Sequence, residues 1–260
     1  ITPWSNDPVF DTPGEICYFR DEENGMIWSL SAYPIRDTEP YTVRHGQGYS
    51  TFHHSSQGLE QTALFFVPVN DPVKIIQINL RNTTENPRHL SVTYYLEWVM
   101  GVERHKTTPF IITEYDPETE ALFAQNVYQE KFRDRVSFLY IGSDQPVDER
   151  SWTGDRAEFI GRNGCLMLPS ALEQESLSKR TGAQYNPCGA MQVKIAIQPN
   201  SEASVTVLLG SAASKEEARS YIRQYGPVTN VIQAYQDMNH FWDGLLDKVR
   251  INTPDCALNI

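Results

Sequence analysis

Lys74-Ile-Ile-Gln-Ile-Asn-Leu80 decides the fold. Ile76, Ile78 and Leu80 fall on one side of an extended chain while Lys74 opens the pattern of polar neighbours, a period of two that suits a strand with one buried face. Gln192-Val-Lys-Ile-Ala-Ile197 repeats it, with Val193, Ile195 and Ile197 expected inward and Gln192 and Lys194 outward. Strands that bury a single face belong to antiparallel sheets packed on one another.

Outward from these two runs, the same unit recurs from residue 15 to about 210: a short stretch rich in Val, Ile, Thr, Tyr and Phe, closed by turn residues. Residues 16–20 and 26–30 flank a turn containing Asn24-Gly25, whose tolerance of positive φ marks a hairpin. Further pairs are 49–53 with 59–67, 73–81 with 90–98, 111–115 with 121–125, and 191–198 with 204–209. At least ten strands, joined mainly by hairpins, predict a mainly β fold: a large antiparallel β-sandwich over residues 1–212. The stretch 144–187, rich in Gly, Asn, Arg and Ser, is expected to cover one edge or end of it.

After Gly210 the period changes. Ser214-Lys-Glu-Glu217 is a capping box for a helix running to Tyr225 and stopped by Gly226-Pro227. Val231, Tyr235, Met238, Trp242, Leu245 and Val249 recur at helical spacing and predict a second helix with one apolar stripe. Thr253-Pro254 reads as the start of a third helix, too short to stand alone. Residues 213–260 therefore read as helical linkers, and the chain as a piece of something longer.

The 33 acidic against 22 basic residues give a net charge of −11, which argues against nucleic-acid or anionic-membrane partners. Cys17, Cys165, Cys188 and Cys256 form no CxxC pair, so neither a disulfide scaffold nor structural zinc is expected, and a reducing compartment fits. No apolar run approaches the ~20 residues of a membrane span, and the first residues are not those of a signal peptide. His53-His54 are adjacent and face opposite ways on a strand, so no metal site is expected. The glycine clusters lack the strand–GxGxxG–helix setting of dinucleotide binding. The paired acids sit at turns or a helix start, and none singles itself out as a catalytic acid.

The stretch Tyr41-Thr-Val-Arg-His-Gly-Gln-Gly-Tyr-Ser-Thr-Phe52 is the exception. Arg44 and His45 supply hydrogen-bonding groups, Gly46 and Gly48 an approachable backbone, and Tyr49 a ring, with Trp28 and Tyr33 shortly upstream. Fixed donors beside an aromatic face are what a sugar needs. The competing reading is a bulged strand whose Arg and His make structural hydrogen bonds. Trp98 and Trp152 read as core or edge residues.

Taken together, several stretches resemble one family. They are Thr2-Pro-Trp-Ser-Asn-Asp-Pro8, Pro13-Gly-Glu15, Trp28-Ser-Leu-Ser-Ala-Tyr-Pro34, Arg44-His-Gly-Gln-Gly-Tyr49, Asp71-Pro72, Ser91-Val-Thr-Tyr-Tyr95, Thr113-Glu-Tyr-Asp116 and Trp152-Thr-Gly-Asp-Arg-Ala-Glu-Phe-Ile-Gly-Arg-Asn-Gly164. The chain resembles the β-sandwich domain of the glycoside phosphorylases of glycoside hydrolase family 94, formerly glycosyltransferase family 36. The phosphorylase-like region of cyclic β-1,2-glucan synthases is the nearest likeness. The resemblance implies a galactose-mutarotase-like supersandwich followed by linker helices and an (α/α)6 barrel, which supplies the general-acid Asp and the phosphate site. It implies no catalytic residue and no cofactor in this chain, inorganic phosphate being a co-substrate of the parent enzyme. Trp28, Arg44, His45, Gly46, Gly48 and Tyr49 would lie in loops near the active site, contributing to glucan binding, often across a homodimer interface. The partners implied are a β-glucan oligosaccharide and the barrel. The location implied is the cytoplasm, on a parent synthase anchored in the inner membrane. Two other readings come from different classes: an aldose epimerase using His45 or His105 with Glu97, Glu103 or Glu114, and a scaffold that binds no sugar.

Overall fold

The computed structural model describes residues 1–4, 9, 12–128, 130, 133–183, 186–248 and 253–255. The chain first lays down β1 (Glu15–Asp21) and β2 (Ile27–Ser29), then β3 (Tyr41–His45), β4 (Tyr49–Ser56), β5 (Leu59–Phe66), β6 (Val73–Asn82) and β7 (Arg88–Glu97). One helical turn, α1 (Arg104–Thr107), leads into β8 (Ile111–Asp116), β9 (Ala121–Asn126), β10 (Val136–Ser143) and β11 (Val147–Asp155). After α2 (Arg156–Ile160) come β12 (Gly182–Ala183), β13 (Pro187–Ile197) and β14 (Glu202–Ala212), and finally α3 (Lys215–Tyr225) and α4 (Val228–Leu246).

The strands form two antiparallel sheets. One has the order β11-β13-β7-β1-β2 and the other β12-β8-β9-β10-β14-β6-β5-β4-β3. The period-two reading of residues 74–80 holds: Ile76, Ile78 and Leu80 face the space between the sheets, where Val193, Ile195 and Ile197 meet them with Phe19, Val92, Leu96 and Trp98. Gln192 departs from its expected place in solvent. It is buried, with Nε2 donating to Thr93 Oγ1 (3.0 Å), because the five-stranded sheet is covered on its outer face as well.

That second cover comes from the 144–187 stretch, which supplies the edge strand β11 and then packs Phe159, Ile160, Leu172 and Leu177 over Ile16, Tyr18, Tyr95 and Ala190. On the opposite side of the molecule α3 and α4 cover part of the nine-stranded sheet. There Ile222, Tyr225, Val231 and Met238 bury Phe66, Val73, Ile75, Phe138 and Leu208.

Two of the connections expected as hairpins are not hairpins. β6 and β7 belong to different sheets, as do β13 and β14, so residues 83–87 and 198–201 arch from one sheet to the other. Asn82, fully buried, ties the two arches together: Nδ2 donates to the carbonyls of Asn86 (2.7 Å), Ile197 (3.2 Å) and Gln198 (3.2 Å), while Oδ1 accepts from Thr84 N (3.0 Å) and Thr84 Oγ1 (2.7 Å). Alternation cannot tell a hairpin from an arch, since both present the same apolar face to the core.

The first predicted helix begins where its capping box places it, with Ser214 Oγ accepting from Glu217 N at 3.1 Å. In α4 the stripe is graded. Val231 and Met238 are buried and Tyr235 and Trp242 half-buried, while Leu245 is exposed. Val249 and most of the third predicted helix lie outside the described residues. Among the described residues no helix is long and apolar enough to cross a membrane.

Candidate functional site

The Arg44–Tyr49 stretch forms one end of the β3–β4 hairpin, at the edge of the nine-stranded sheet. Register pairs Arg44 with Thr51 and His45 with Ser50, so the alternation sends His45 to the same face as Val43 and Tyr41, and Arg44 to the other with Thr42. At the far end of the hairpin Tyr41 stacks flat on His54 (centroids 3.9 Å apart, planes at 2°). The buried His54 ring lies 3.1 Å from the Pro40 carbonyl and 3.3 Å from Asp37 Oδ2. The Ser56 hydroxyl, the Thr38 amide and His54 hold the Asp37 carboxyl down to about 2, against the opposing effect of burial.

The tip is fixed by close packing. Gly46 N donates to Tyr49 O (2.9 Å), and the Tyr49 ring folds back over Gly46, where a β-carbon would come within 2.2 Å of it. Gly48 has φ +82°, and a β-carbon there would lie 2.5 Å from Trp242 Nε1 and 2.6 Å from Met238 Sδ of α4. Tyr49 stands edge-on to Tyr235 of the same helix (5.4 Å, 86°), and the neighbouring phenol pushes the Tyr49 hydroxyl above its ordinary range. The hairpin tip is thus seated on the helix, and backbone approach explains both glycines. Arg44 and His45 stay exposed, with His45 Nδ1 2.8 Å from Ser50 Oγ.

The structure therefore brings five of the six expected residues together and places Trp28 elsewhere. Trp28 is on β2, stacked against Phe19 (5.6 Å) and donating from Nε1 to Gln61 Oε1 (2.9 Å). Gln61 pairs with His54, which puts Trp28 near the far end of the hairpin, in the packing between the sheets. Tyr33, on the loop after β2, is exposed, Trp98 is fully buried, and Trp152 stacks on Tyr115 at 3.5 Å. The residues that sequence reasoning missed are Tyr235, Met238 and Trp242. Their helical spacing announces a packing face but not the glycine-rich loop that seats on it.

The acids considered for epimerase chemistry are engaged. Glu97 pairs with Arg104 (2.9 Å) and Arg156 (2.6 Å), and Glu114 with Lys215 (2.5 Å). Glu103 bonds Lys106 (2.8 Å) and touches His105 directly (3.2 Å), leaving no space between acid and base for a sugar ring.

Over its whole length the chain is 31% identical to the cyclic beta-(1,2)-glucan synthase NdvB of Rhizobium meliloti (strain 1021), of which it spans 9%. It is 26% identical to N,N'-diacetylchitobiose phosphorylase of Vibrio proteolyticus, again over the whole chain and 32% of that protein. Among solved structures, a bacterial glucoamylase complexed with acarbose matches 90% of the chain and 31% of its own at a TM-score of 0.58 and 11% identity, which shows the fold alone. The chain spans about a third or less of these relatives. Residues 1–228 match the model for the glycosyl hydrolase 94 supersandwich domain, and the chain belongs to that family.

Proposed function

We propose that this chain is a non-catalytic, cleft-forming sandwich domain of a β-1,2-glucan-acting phosphorylase or cyclic β-1,2-glucan synthase, with the β3–β4 hairpin contributing glucan contacts. The observation that carries this reading is the exposure of Arg44 and His45 on a tip packed against α4. Polar groups presented from a braced hairpin keep their geometry without being spent on the fold. Residues 1–212 act as the sandwich and 213–260 as the link to a helical barrel. Phe241, Leu245 and Leu246, each more than two-fifths exposed on α4, suit cover by that barrel.

In the parent reaction phosphate attacks the anomeric carbon while an acid of the barrel protonates the leaving oxygen, with inversion. The sandwich shapes the glucan side of the cleft, in a cytoplasmic protein that pairs as a homodimer. Two measurements test the reading. Calorimetric titration with β-1,2-glucan oligomers should give binding that Arg44→Ala weakens; its absence favours a pure scaffold. Incubating the chain with β-1,2-glucan and phosphate should release no glucose 1-phosphate, and release would overturn the non-catalytic role.

A further inference from the structure

At the end of the sandwich that carries the start of β1 and of β6, the two sheets do not close. They leave a cavity of about 310 Å³ bordered by Glu15, Ser31, Phe52, Phe65, Lys74 and Tyr94. Lys74 is in phase with Ile76, Ile78 and Leu80, Glu15 with Cys17 and Phe19, and Tyr94 with Val92 and Leu96. Three polar side chains thus occupy positions whose neighbours along each strand are all core. Lys74 Nζ and the Tyr94 hydroxyl both donate to Glu15 Oε2, and Thr2 Oγ1 donates to Oε1 at 3.0 Å.

An ion pair in such a place gains little over apolar residues, because losing water offsets the attraction. Here it also leaves a hole that an apolar plug would have filled. The Glu15 and Lys74 side chains keep 20% and 32% of their exposure, so both remain reachable from the cavity. Beside Lys74, on the same face of the nine-stranded sheet, Phe52 and Phe65 (5.0 Å, 60°) supply an apolar wall. The volume is at the small end of ligand pockets, about 300–1,000 Å³. Within the pair the two charges cancel, so Glu15 and Lys74 together favour neither an anion nor a cation.

We propose that this inter-sheet mouth binds one neutral sugar unit, its C–H face on Phe52 and Phe65 and its hydroxyls shared between Glu15 and Lys74. A hydroxyl can donate to the carboxylate and accept from the ammonium at once, and a pyranose has one apolar and one hydroxyl-rich aspect. The site is separate from the hairpin tip and does not rest on it.

The test is a proton–nitrogen correlation spectrum of the chain titrated with glucose. Shifts should concentrate at the amides of Glu15, Ser31, Phe52, Phe65 and Lys74. The paired variant Glu15→Gln with Lys74→Met, which keeps the site neutral, should weaken binding about tenfold or more, as expected on losing charge-assisted hydrogen bonds. Phe65→Leu gives an independent reading should the paired variant fail to fold. No shifts at these amides, undiminished binding by folded variants, or preference for glucuronate or inorganic phosphate over glucose would each overturn the proposal. Arg44→Ala separates the two sites: it should leave the glucose map unchanged even where it weakens oligomer binding.

Discussion

The indole of Trp242 lies directly over the α-carbon of Gly48, so that a methyl group added there would stand 2.5 Å from Nε1. Gly48→Ala must therefore strain a left-handed backbone, at about 1–2 kcal/mol, and displace the helix or the tip, at a further ~1–3 kcal/mol. Gly25, with φ +71° and nothing within 4 Å of where a methyl group would stand, serves as the control: Gly25→Ala should meet the backbone strain alone. Urea unfolding of the two variants measures the difference, and equal losses would mean that α4 does not seat on the hairpin.

Arg44 is predicted to matter outside the fold. Its side chain is exposed, so Arg44→Ala should change the chain's stability by no more than about 0.5 kcal/mol. In the parent enzyme the same change should raise KM for glucan more than it lowers kcat, as expected when uniform binding is lost. A large shift in melting temperature with unchanged turnover would assign Arg44 to the structure instead.

Asn82 is the side chain whose loss should be felt most widely. Asn82→Ala leaves the carbonyls of Asn86, Ile197 and Gln198 without their shared donor; the bond to Ile197 is buried and the other two partly so, at about 1–3 kcal/mol for each group that water cannot reach. A net loss on the order of 2–4 kcal/mol in denaturant unfolding is expected, with the unfolding still a single transition. Asn82→Asp, which keeps Oδ1 for Thr84 but removes the Nδ2 donor, should recover little of it.

The Asp37 carboxyl titrates near 2, below the ordinary carboxylate value, so its contribution is present above about pH 4 and is lost as pH falls toward 2. The wild-type chain should therefore lose stability across that window, and Asp37→Asn should lose less. At pH 7 the variant should be the less stable of the two. Melting temperatures taken between pH 2 and pH 7 check the sign, and parallel curves for the two proteins would contradict it.

Much of the fold is legible in the sequence because alternation and helical period report directly on which face is buried. Ile76, Ile78, Leu80, Val193, Ile195 and Ile197 all stand where the pattern puts them, and Ser214 caps its helix. What is not legible is which strand pairs with which. A buried edge face looks the same whether the chain turns back within one sheet, as at β8–β9, or crosses to the other, as at β6–β7. Gln192 reads as a solvent residue because its burial depends on a cover supplied by residues 159–177, a partner no local pattern names. At the candidate site the glycines stand out in the sequence for their freedom, whereas Gly46 and Gly48 are required by the Tyr49 and Trp242 rings pressed against them. Lys74 reads as a polar neighbour of the core pattern although it is in phase with the core residues. Its significance appears only once Glu15 and Tyr94 are brought beside it.

The strand order carries a consequence for how the protein is made. β14 lies between β10 and β6, and β13 between β11 and β7, so the two last-synthesised strands complete the middle of both sheets. Until residue 212 has left the ribosome, the larger sheet exists only as separate pieces, β3 to β6 on one side and β8 to β10 with β12 on the other, each with an unpaired apolar edge. Vectorial synthesis therefore keeps open strand edges in contact with the cell for most of translation, the state from which intermolecular pairing starts. A ribosome pause or a truncation before Glu202 should release a chain that recruits holdase chaperones or aggregates, while one just beyond Ala212 has every strand it needs to close both sheets.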